Sequence, residues 1–485
     1  MAPGITGYGT FVPRLRLDRS AVAAVHVWHA PGLMGMAKGL RAIANWDEDA
    51  VTLAVEAARG CVGGEPLDAI YLASTSLPFL DRQNACLVKE ALALDDAIST
   101  IDITGSQRAG TTALLTALRA GSQGAALCIA AEKQRPQPGS ESELTAGDGA
   151  AAFTVGTHGI IAELIASHSI SVDFVDHFRA AGSEFSYSWE SRWVRDEGYG
   201  KILPDSVTAI LSKTGLTPEQ IDRFAFDTPI RGLAASLAKR LGFRAEAVDE
   251  SVFLQMGDAG PAQSLILLAQ ALETARPGQT ILLAGFGQGC DTLVFRTTDA
   301  IAGYRSAAPL SMSLARAEVT SEYVRYLALA GLLDLDRGMR AEQDMKTPLT
   351  ALYRERKAVL GLIGGRCTKT GTIQFPRSDL SVNQNDAAFG TQEDYRFAEI
   401  PATVVTYTAD RLAYTPSPPY FYGTIAFEGG GRMVAEFADC TEADIQVGAP
   451  VRMMFRIKNL DEVRGFTRYF WKAVPDRERR PSGRP

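Results

Sequence analysis

The stretch Asp102-Ile-Thr-Gly-Ser-Gln-Arg-Ala-Gly-Thr-Thr-Ala-Leu-Leu115 sets the reading of everything around it. A small-residue turn, Gly105-Ser106, leads into Gln107, and Ala109-Gly110 opens an apolar helix expected to run to about Arg119. Small residues let a helix start approach a second backbone, so one side chain is held at a constrained turn. The geometry is that of a nucleophile site, yet the residue at its centre is an amide.

Upstream, residues 47–61 predict a helix, with Asp47 as its cap and Val51, Val55 and Ala58 on one face. Residues 67–74 read as a buried strand, 79–92 as a helix and 98–102 as a short strand. Residues 125–131 form another buried strand, and Gly147-Asp-Gly leads into a further one. The order then recurs. Residues 205–213 predict a helix, and Phe224-Ala-Phe-Asp-Thr-Pro matches Tyr71-Leu-Ala-Ser-Thr in place. Residues 230–241 are a helix and 252–255 a short strand. Gly257-Asp-Ala-Gly-Pro-Ala opens a helix to Glu273, and a strand follows from Thr280. Gly110 thus has its counterpart at Gly260. Two units in the same order imply a duplicated α/β domain with a mostly parallel sheet. Its two central helices are expected back to back between two sheets.

Residues 173–200, between the halves, are aromatic and charged, with Phe178, Tyr187, Trp189 and Trp193 beside Arg179 and Arg192. Two readings fit: an insertion over an active site, or an oligomer contact. Residues 301–360 read as a helical linker. From 361 onward short strands dominate, at 404–408, 420–428, 432–437 and 451–457, which suggests a small closed barrel.

A chain of 485 residues is too long for one ordinary core. With 46% hydrophobic and 22% charged residues it has a globular composition. The net charge of -7, with no long basic run before an Arg-rich tail at 477–484, argues against a nucleic-acid partner; residues 476–485 are expected to be disordered. Six cysteines without a CxxC pair suggest buried thiols in a reducing compartment. No leader pattern and no long uncharged apolar run appear, so no membrane span is expected and the cytoplasm is the expected compartment.

No Walker loop, HExxH or GxSxG is present. Gly285-Phe-Gly-Gln-Gly is followed by a strand, so it reads as a hairpin turn and not a dinucleotide loop. The histidines at 26, 29, 158, 168 and 177 show no metal-ligand spacing, His26 and His29 are expected at a surface, and no histidine is an evident base for Ser106. Polar residues converge on the repeated helix starts: Ser106 and Gln107 on the first, Asp258 on the second, with Asp227 at a strand end. Loops beyond the carboxyl ends of strands build the site in such sheets. A carboxylate near a helix N-terminus serves as a base or holds a water; structural capping is the rival role for both aspartates. Gln107 can donate to an oxyanion but cannot carry an acyl group. Ser106 is a nucleophile only if a base activates it.

Several segments together resemble the thiolase superfamily, in its hydroxymethylglutaryl-CoA synthase-like branch. They are Thr75-Ser-Leu-Pro-Phe with Arg82-Gln-Asn, residues 102–111, Ala131-Glu-Lys, Gly147-Asp-Gly-Ala-Ala-Ala, Phe226-Asp-Thr-Pro, Gly257-Asp-Ala-Gly-Pro-Ala and Gly285-Phe-Gly-Gln-Gly. They span residues 5–298 in family order. The resemblance implies a duplicated thiolase fold of five layers, αβαβα, over 1–300, with halves at about 1–165 and 201–298. It also implies a CoA thioester as substrate and a homodimer. The family's acylated cysteine falls on Gln107, its histidine on Asp227 and its asparagine on Asp258. Its glutamate region falls near 75–78, where no carboxylate stands before Asp81. Gln107, Asp227, Asp258 and Ser106 are therefore the candidate catalytic residues, with Tyr187 and Tyr199 as weaker alternatives for the base.

Gly364-Gly-Arg-Cys-Thr-Lys-Thr-Gly-Thr-Ile-Gln-Phe-Pro, Tyr407-Thr and Arg468-Tyr-Phe-Trp-Lys-Ala resemble the zinc-ribbon plus OB-fold (DUF35-type) proteins that associate with thiolase-like enzymes. Here the module, at 361–475, is fused. The ribbon's four cysteines are reduced to Cys367, the partner positions falling on Thr370 and approximately Ser381 and Gln384, so no metal is expected. A further thiolase-like or OB-fold subunit is a candidate partner. The leading functional expectation is an acyl-CoA carbon–carbon lyase of aldolase type, acting by retro-aldol cleavage of a β-hydroxyacyl-CoA without an acyl-enzyme. The alternatives are a hydroxymethylglutaryl-CoA synthase-like or C-acyltransferase condensing enzyme, and a non-catalytic scaffold or regulatory partner.

Overall fold

The structure, a computed structural model, describes residues 2–63, 65–121, 124–226, 228–336, 338, 346 and 348–479. The chain divides into two compact units. One comprises Met1–Asn45, Asp49–Cys86 and Asp96–Tyr326; the other comprises Trp46–Glu48, Leu87–Asp95 and Leu327–Pro485.

The first unit is built on a nine-stranded mixed sheet. Its order is Arg223–Ala225, Thr280–Phe286, Gly289–Thr297, Ala162–Ser171, Gly4–Phe11, Gly149–Gly156, Ala126–Glu132, Ala69–Ala73 and Ser99–Ile103. The order is pseudo-symmetric about the join between Gly4–Phe11 and Ala162–Ser171. On one side an antiparallel pair leads to parallel strands of the first half; on the other the second half repeats the pattern. The halves expected as two sheets are thus linked by a short antiparallel pairing, Gly4 with Glu163 and Ile5 with Ala162.

Each half contributes a long apolar helix to the main core. Ala109–Ala120 buries Ala113, Leu114 and Leu118, and Gln263–Glu273 buries Leu265, Ile266 and Leu268. Burying these faces is the main favourable term for the unit. The helices meet at their starts, where a Cβ on Gly110 would lie 2.1 Å from the Pro261 carbonyl oxygen.

Three local readings are corrected. The cap of Ala50–Ala58 is Asp49, which accepts from the Thr52 N–H at 2.9 Å in a capping box, and not Asp47. Residues 252–255 lie in a helix, Ser251–Met256, so among the described residues the second half shows no counterpart of the Ser99–Ile103 edge strand. His26 is not simply a surface residue: its Nε2 lies 2.8 Å from the Tyr323 hydroxyl and 3.3 Å from the buried Glu143 carboxylate.

The interhalf insertion forms a two-stranded hairpin, His177–Phe178 with Tyr187–Ser188, separate from the large sheet. It continues into one helical run, Ser191–Trp193, Val194–Ile202 and Leu203–Thr214, whose middle section is a π-helix. Gly198 in that section sits against the Phe174 and Phe286 rings, where a Cβ would fall 2.7 Å from Phe174.

The second unit holds a three-stranded sheet, Ile373–Gln374, Ile363–Cys367 and Gln392–Arg396, and a six-stranded sheet. The latter runs Thr408–Asp410, Tyr420–Phe427, Ala402–Val404, Pro450–Asp461 and Phe466–Pro475, with Arg432–Glu436 paired to Tyr420–Phe427. A bridge between Phe437 and Ala473 brings the ends together, as a small barrel requires. Trp471 fills its interior, donating from Nε1 to the Leu360 carbonyl at 2.6 Å, beside the Phe455 ring. In the ribbon, Cys367 Sγ lies 3.1 Å from Thr391 Oγ1, and Ser381 is occupied by a backbone bond to Ala388. Among the described residues no group of three or more His, Cys, Asp or Glu is placed to hold a metal ion. The tail beyond 479 lies outside the described residues.

Candidate active site

Three parallel strands of the first half, Ala69–Ala73, Ser99–Ile103 and Ala126–Glu132, end on the same side. Their carboxyl ends carry Ser74 and Thr75, the turn from Thr104 to Arg108, and Glu132. Gly105 takes φ +89°, a left-handed conformation that suits glycine and turns the chain into Ser106 and Gln107. Gln107 therefore stands just before the Ala109–Ala120 helix, at its positive end.

Four titratable or amide side chains converge here. The Gln107 amide Nε2 is 3.0 Å from His177 Nε2. Gln107 Oε1 is buried without a hydrogen-bond partner among the described residues and faces Gly260, where a Cβ would lie 2.7 Å from it and 3.6 Å from Glu132 Cγ. The Glu132 carboxylate accepts from the Thr75 N–H and hydroxyl, both at 2.8 Å, and from the Ser74 hydroxyl at 3.0 Å. Asp258 accepts from the Gly260 N–H at 2.7 Å, and its backbone is bridged to Ala146.

The electrostatics follow from burial. Glu132 is pushed above the usual carboxyl range by desolvation, which its bonds to Thr75, Ser74 and Ser76 only partly offset. Desolvation also raises Asp258 to about 6, against the Gly260 N–H and the charges of His177 and Arg19. For His177 burial acts downward, but the bond to Asp176 and the charges of Asp176 and Asp258 outweigh it, so the imidazole is raised. Asp176 Oδ1 lies 3.0 Å from His177 Nδ1.

The other sequence candidates fall in different places. Ser106 Oγ donates to the Gly287 carbonyl at 2.9 Å, tying the central turn to the hairpin between Thr280–Phe286 and Gly289–Thr297. Arg108 reinforces this tie through Asp291 at 3.0 Å. Tyr199 packs in an aromatic cluster with Phe286 and Phe226, and Tyr187 is exposed beside Phe178. Asp227 lies outside the described residues. His177 and Glu132 stand at the site although neither is among the sequence candidates. The available signals were Asp176-His177 inside the insertion, and a lone carboxylate closing an otherwise apolar buried strand.

An α/β fold duplicated about paired central helices, with a site at the strand ends and helix start, defines the thiolase class of condensing enzymes. Solved structures agree in fold: an HMG-CoA synthase complexed with CoA superposes with a TM-score of 0.60 at 17% identity, covering 72% of this chain and 95% of that one. MvaS in complex with 3-hydroxy-3-methylglutaryl coenzyme A gives 0.58 at 17% identity over 81% and 99%. The hydroxymethylglutaryl-CoA synthase of Methanopyrus kandleri is 30% identical over 322 residues, 63% of this chain and 91% of its own length. That of Methanococcoides burtonii is 28% identical over 69% of this chain and its full length. The chain belongs to the hydroxymethylglutaryl-CoA synthase family. Residues 211–295 match the C-terminal part of 3-oxoacyl-[acyl-carrier-protein] synthase III, and residues 396–456 match the ChsH2 C-terminal OB-fold domain. The thiolase-like part and the OB-fold are thus fused in one chain. The relatives' names are those of synthases, which supports the condensing alternative over the retro-aldol lyase.

Proposed function

We propose that this chain makes carbon–carbon bonds on an acyl-CoA thioester by an aldol-type addition that passes through no acyl-enzyme. The observation that carries this reading is Gln107: an amide occupies the nucleophile's post, with the buried Glu132 and the half-buried Asp258, both of raised pKa, close by. An amide N–H stabilises an enolate oxygen but forms no thioester. A base removes the α-proton of the thioester, the enolate carbon adds to a carbonyl acceptor, and an acid protonates the new alkoxide. The retro-aldol direction uses the same groups in reverse.

In this scheme Gln107 holds the developing oxyanion. Asp258 is a candidate to receive or deliver the proton, and Asp227, a candidate from the sequence alone, is a second. Ser106, with its proton committed to Gly287, serves as a tie between the halves. The CoA complexes of solved structures with this fold support a CoA thioester as substrate. A homodimer, a further thiolase-like or OB-fold subunit, and a cytoplasmic setting complete the proposal. No helix among the described residues is long and apolar enough to cross a membrane.

The test is calorimetric titration with CoA and acyl-CoAs, followed by mass spectrometry of reactions run both ways. One direction offers acyl-CoAs with ketone or aldehyde acceptors; the other offers β-hydroxyacyl-CoAs. A new β-hydroxyacyl-CoA that disappears in Gln107→Ala supports the reading. An absence of CoA binding and turnover overturns it in favour of the scaffold.

A further inference from the structure

The amide at position 107 leaves the site without an obvious proton acceptor close to it in sequence. The fold delivers one from 70 positions away: His177 Nε2 stands 3.0 Å from Gln107 Nε2. Asp176 is placed at Nδ1, 3.0 Å away, and also accepts from the His177 backbone N–H at 2.9 Å. A carboxylate on Nδ1 holds the proton there and leaves the Nε2 lone pair directed at Gln107. One imidazole nitrogen is fixed by Asp176 and the other faces the Gln107 amide.

The hairpin is built to present this side. His177 pairs with Ser188, and Phe178 with Tyr187. Side chains alternate along a strand, so His177 turns to Gln107 while the Phe178 and Tyr187 rings, 5.5 Å apart, share the opposite, exposed face. The Trp189 N–H closes the hairpin onto the Asp176 carbonyl at 2.9 Å. Arg179 reaches the Thr75 carbonyl, on the same residue that holds Glu132. The insertion is therefore anchored to the site at two points. The charged groups facing His177 are Asp176, Asp258 and Arg179.

We propose that His177 is the proton-transferring base of this site and that Asp176 is its positioning residue. This rests on the CoA-thioester reading above. A thioester carbonyl oxygen takes the Gln107 amide N–H that the imidazole accepts at rest, which frees the Nε2 lone pair. Nε2 then removes the α-proton. The C–H bond pair becomes the enolate, whose oxygen stays on the Gln107 amide, and the imidazolium is held by Asp176 and Asp258. When the enolate carbon bonds to the acceptor carbonyl, the carbonyl π pair becomes an alkoxide. That alkoxide takes the proton back from Nε2, so the cycle ends with neutral His177 and no net proton gained or lost.

The experiment follows α-proton exchange, which needs the base but no acceptor. The full chain is incubated with acetyl-CoA and propionyl-CoA in D2O, deuterium gain is read by mass spectrometry, and CoA binding is measured separately by calorimetry. His177→Gln is expected to lose about 100-fold or more in exchange while still binding CoA. Asp176→Asn is expected to slow exchange and to move the acid limb of its pH profile downward, because the group that raises the imidazole is gone; a merely structural aspartate would leave that limb in place. Exchange retained in His177→Gln within a few-fold, or an unmoved limb in Asp176→Asn, overturns the proposal. Wild-type protein that binds CoA but exchanges no proton overturns the role of His177 and leaves the CoA reading standing. Wild-type protein that binds no CoA removes the CoA reading, and this proposal with it.

Discussion

Gly110 lies so close to Pro261 that a Cβ at position 110 would meet the proline carbonyl oxygen at 2.1 Å. The two residues belong to opposite halves of the duplication, and their contact sets how closely the central helices approach. The obstacle is backbone, which cannot rotate aside. Gly110→Ala is therefore expected to cost roughly 1–3 kcal/mol despite its better helix propensity. Gly105→Ala offers a contrast: it meets no atom within 4 Å, and its cost is the conformational one of φ +89°. That cost is about 1 kcal/mol. Urea denaturation of both variants checks the order.

The repeat that places Gly110 opposite Gly260 was readable because it recurs as an ordered set of apolar runs and small-residue turns. Residues 252–255, expected as a strand, lie in a helix because three apolar residues followed by Gln255 carry no usable period, and a short strand and a buried helical turn look alike at that length. Gln107 and Asp258 were legible because each opens a repeated helix. His177 was not, because the Asp176-His177 pair marks a polarised imidazole but not the turn, 70 residues earlier, that its hairpin folds back over. Glu132 was hidden differently: its significance comes from Ser74 and Thr75, which neighbour it only through the parallel pairing of two strands.

Gln107→Ala tests the oxyanion role. Removing a donor that acts only in the transition state is expected to lower turnover by about 100- to 1,000-fold with little change in CoA affinity. Steady-state kinetics beside calorimetry separate the two. An equal loss in affinity and turnover points to a binding role in place of the proposed one.

Asp258 gives a pH-dependent prediction whose sign follows from its raised carboxyl, about 6 against 3.8. The fold favours the neutral acid, so this contribution is present below about pH 4 and is lost as pH rises through 6. Asp258→Asn keeps an oxygen for the Gly260 N–H and removes the charge. The variant is expected to match wild type near pH 4 and to exceed it near pH 8 by on the order of 2 kcal/mol. Thermal melts at the two pH values decide it; a constant difference would show that the charge is not the cause.

Glu132 separates geometry from charge. Its two oxygens receive three donors, from Ser74 and Thr75, at 2.8–3.0 Å in a buried setting. Glu132→Ala strands all three and is expected to destabilise by about 2–4 kcal/mol, since each unmet buried polar group carries its full desolvation cost. Glu132→Gln keeps one acceptor oxygen, and the Thr75 hydroxyl can rotate to accept from the new amide, so the expected cost is less than half as large. The stability order is then wild type, Gln, Ala. Activity follows a different order if the carboxyl also moves a proton, because the amide restores the bonds but not the titration. Urea midpoints and turnover measured on the same three proteins therefore show whether Glu132 only braces Thr75 or also takes part in the chemistry beside Gln107.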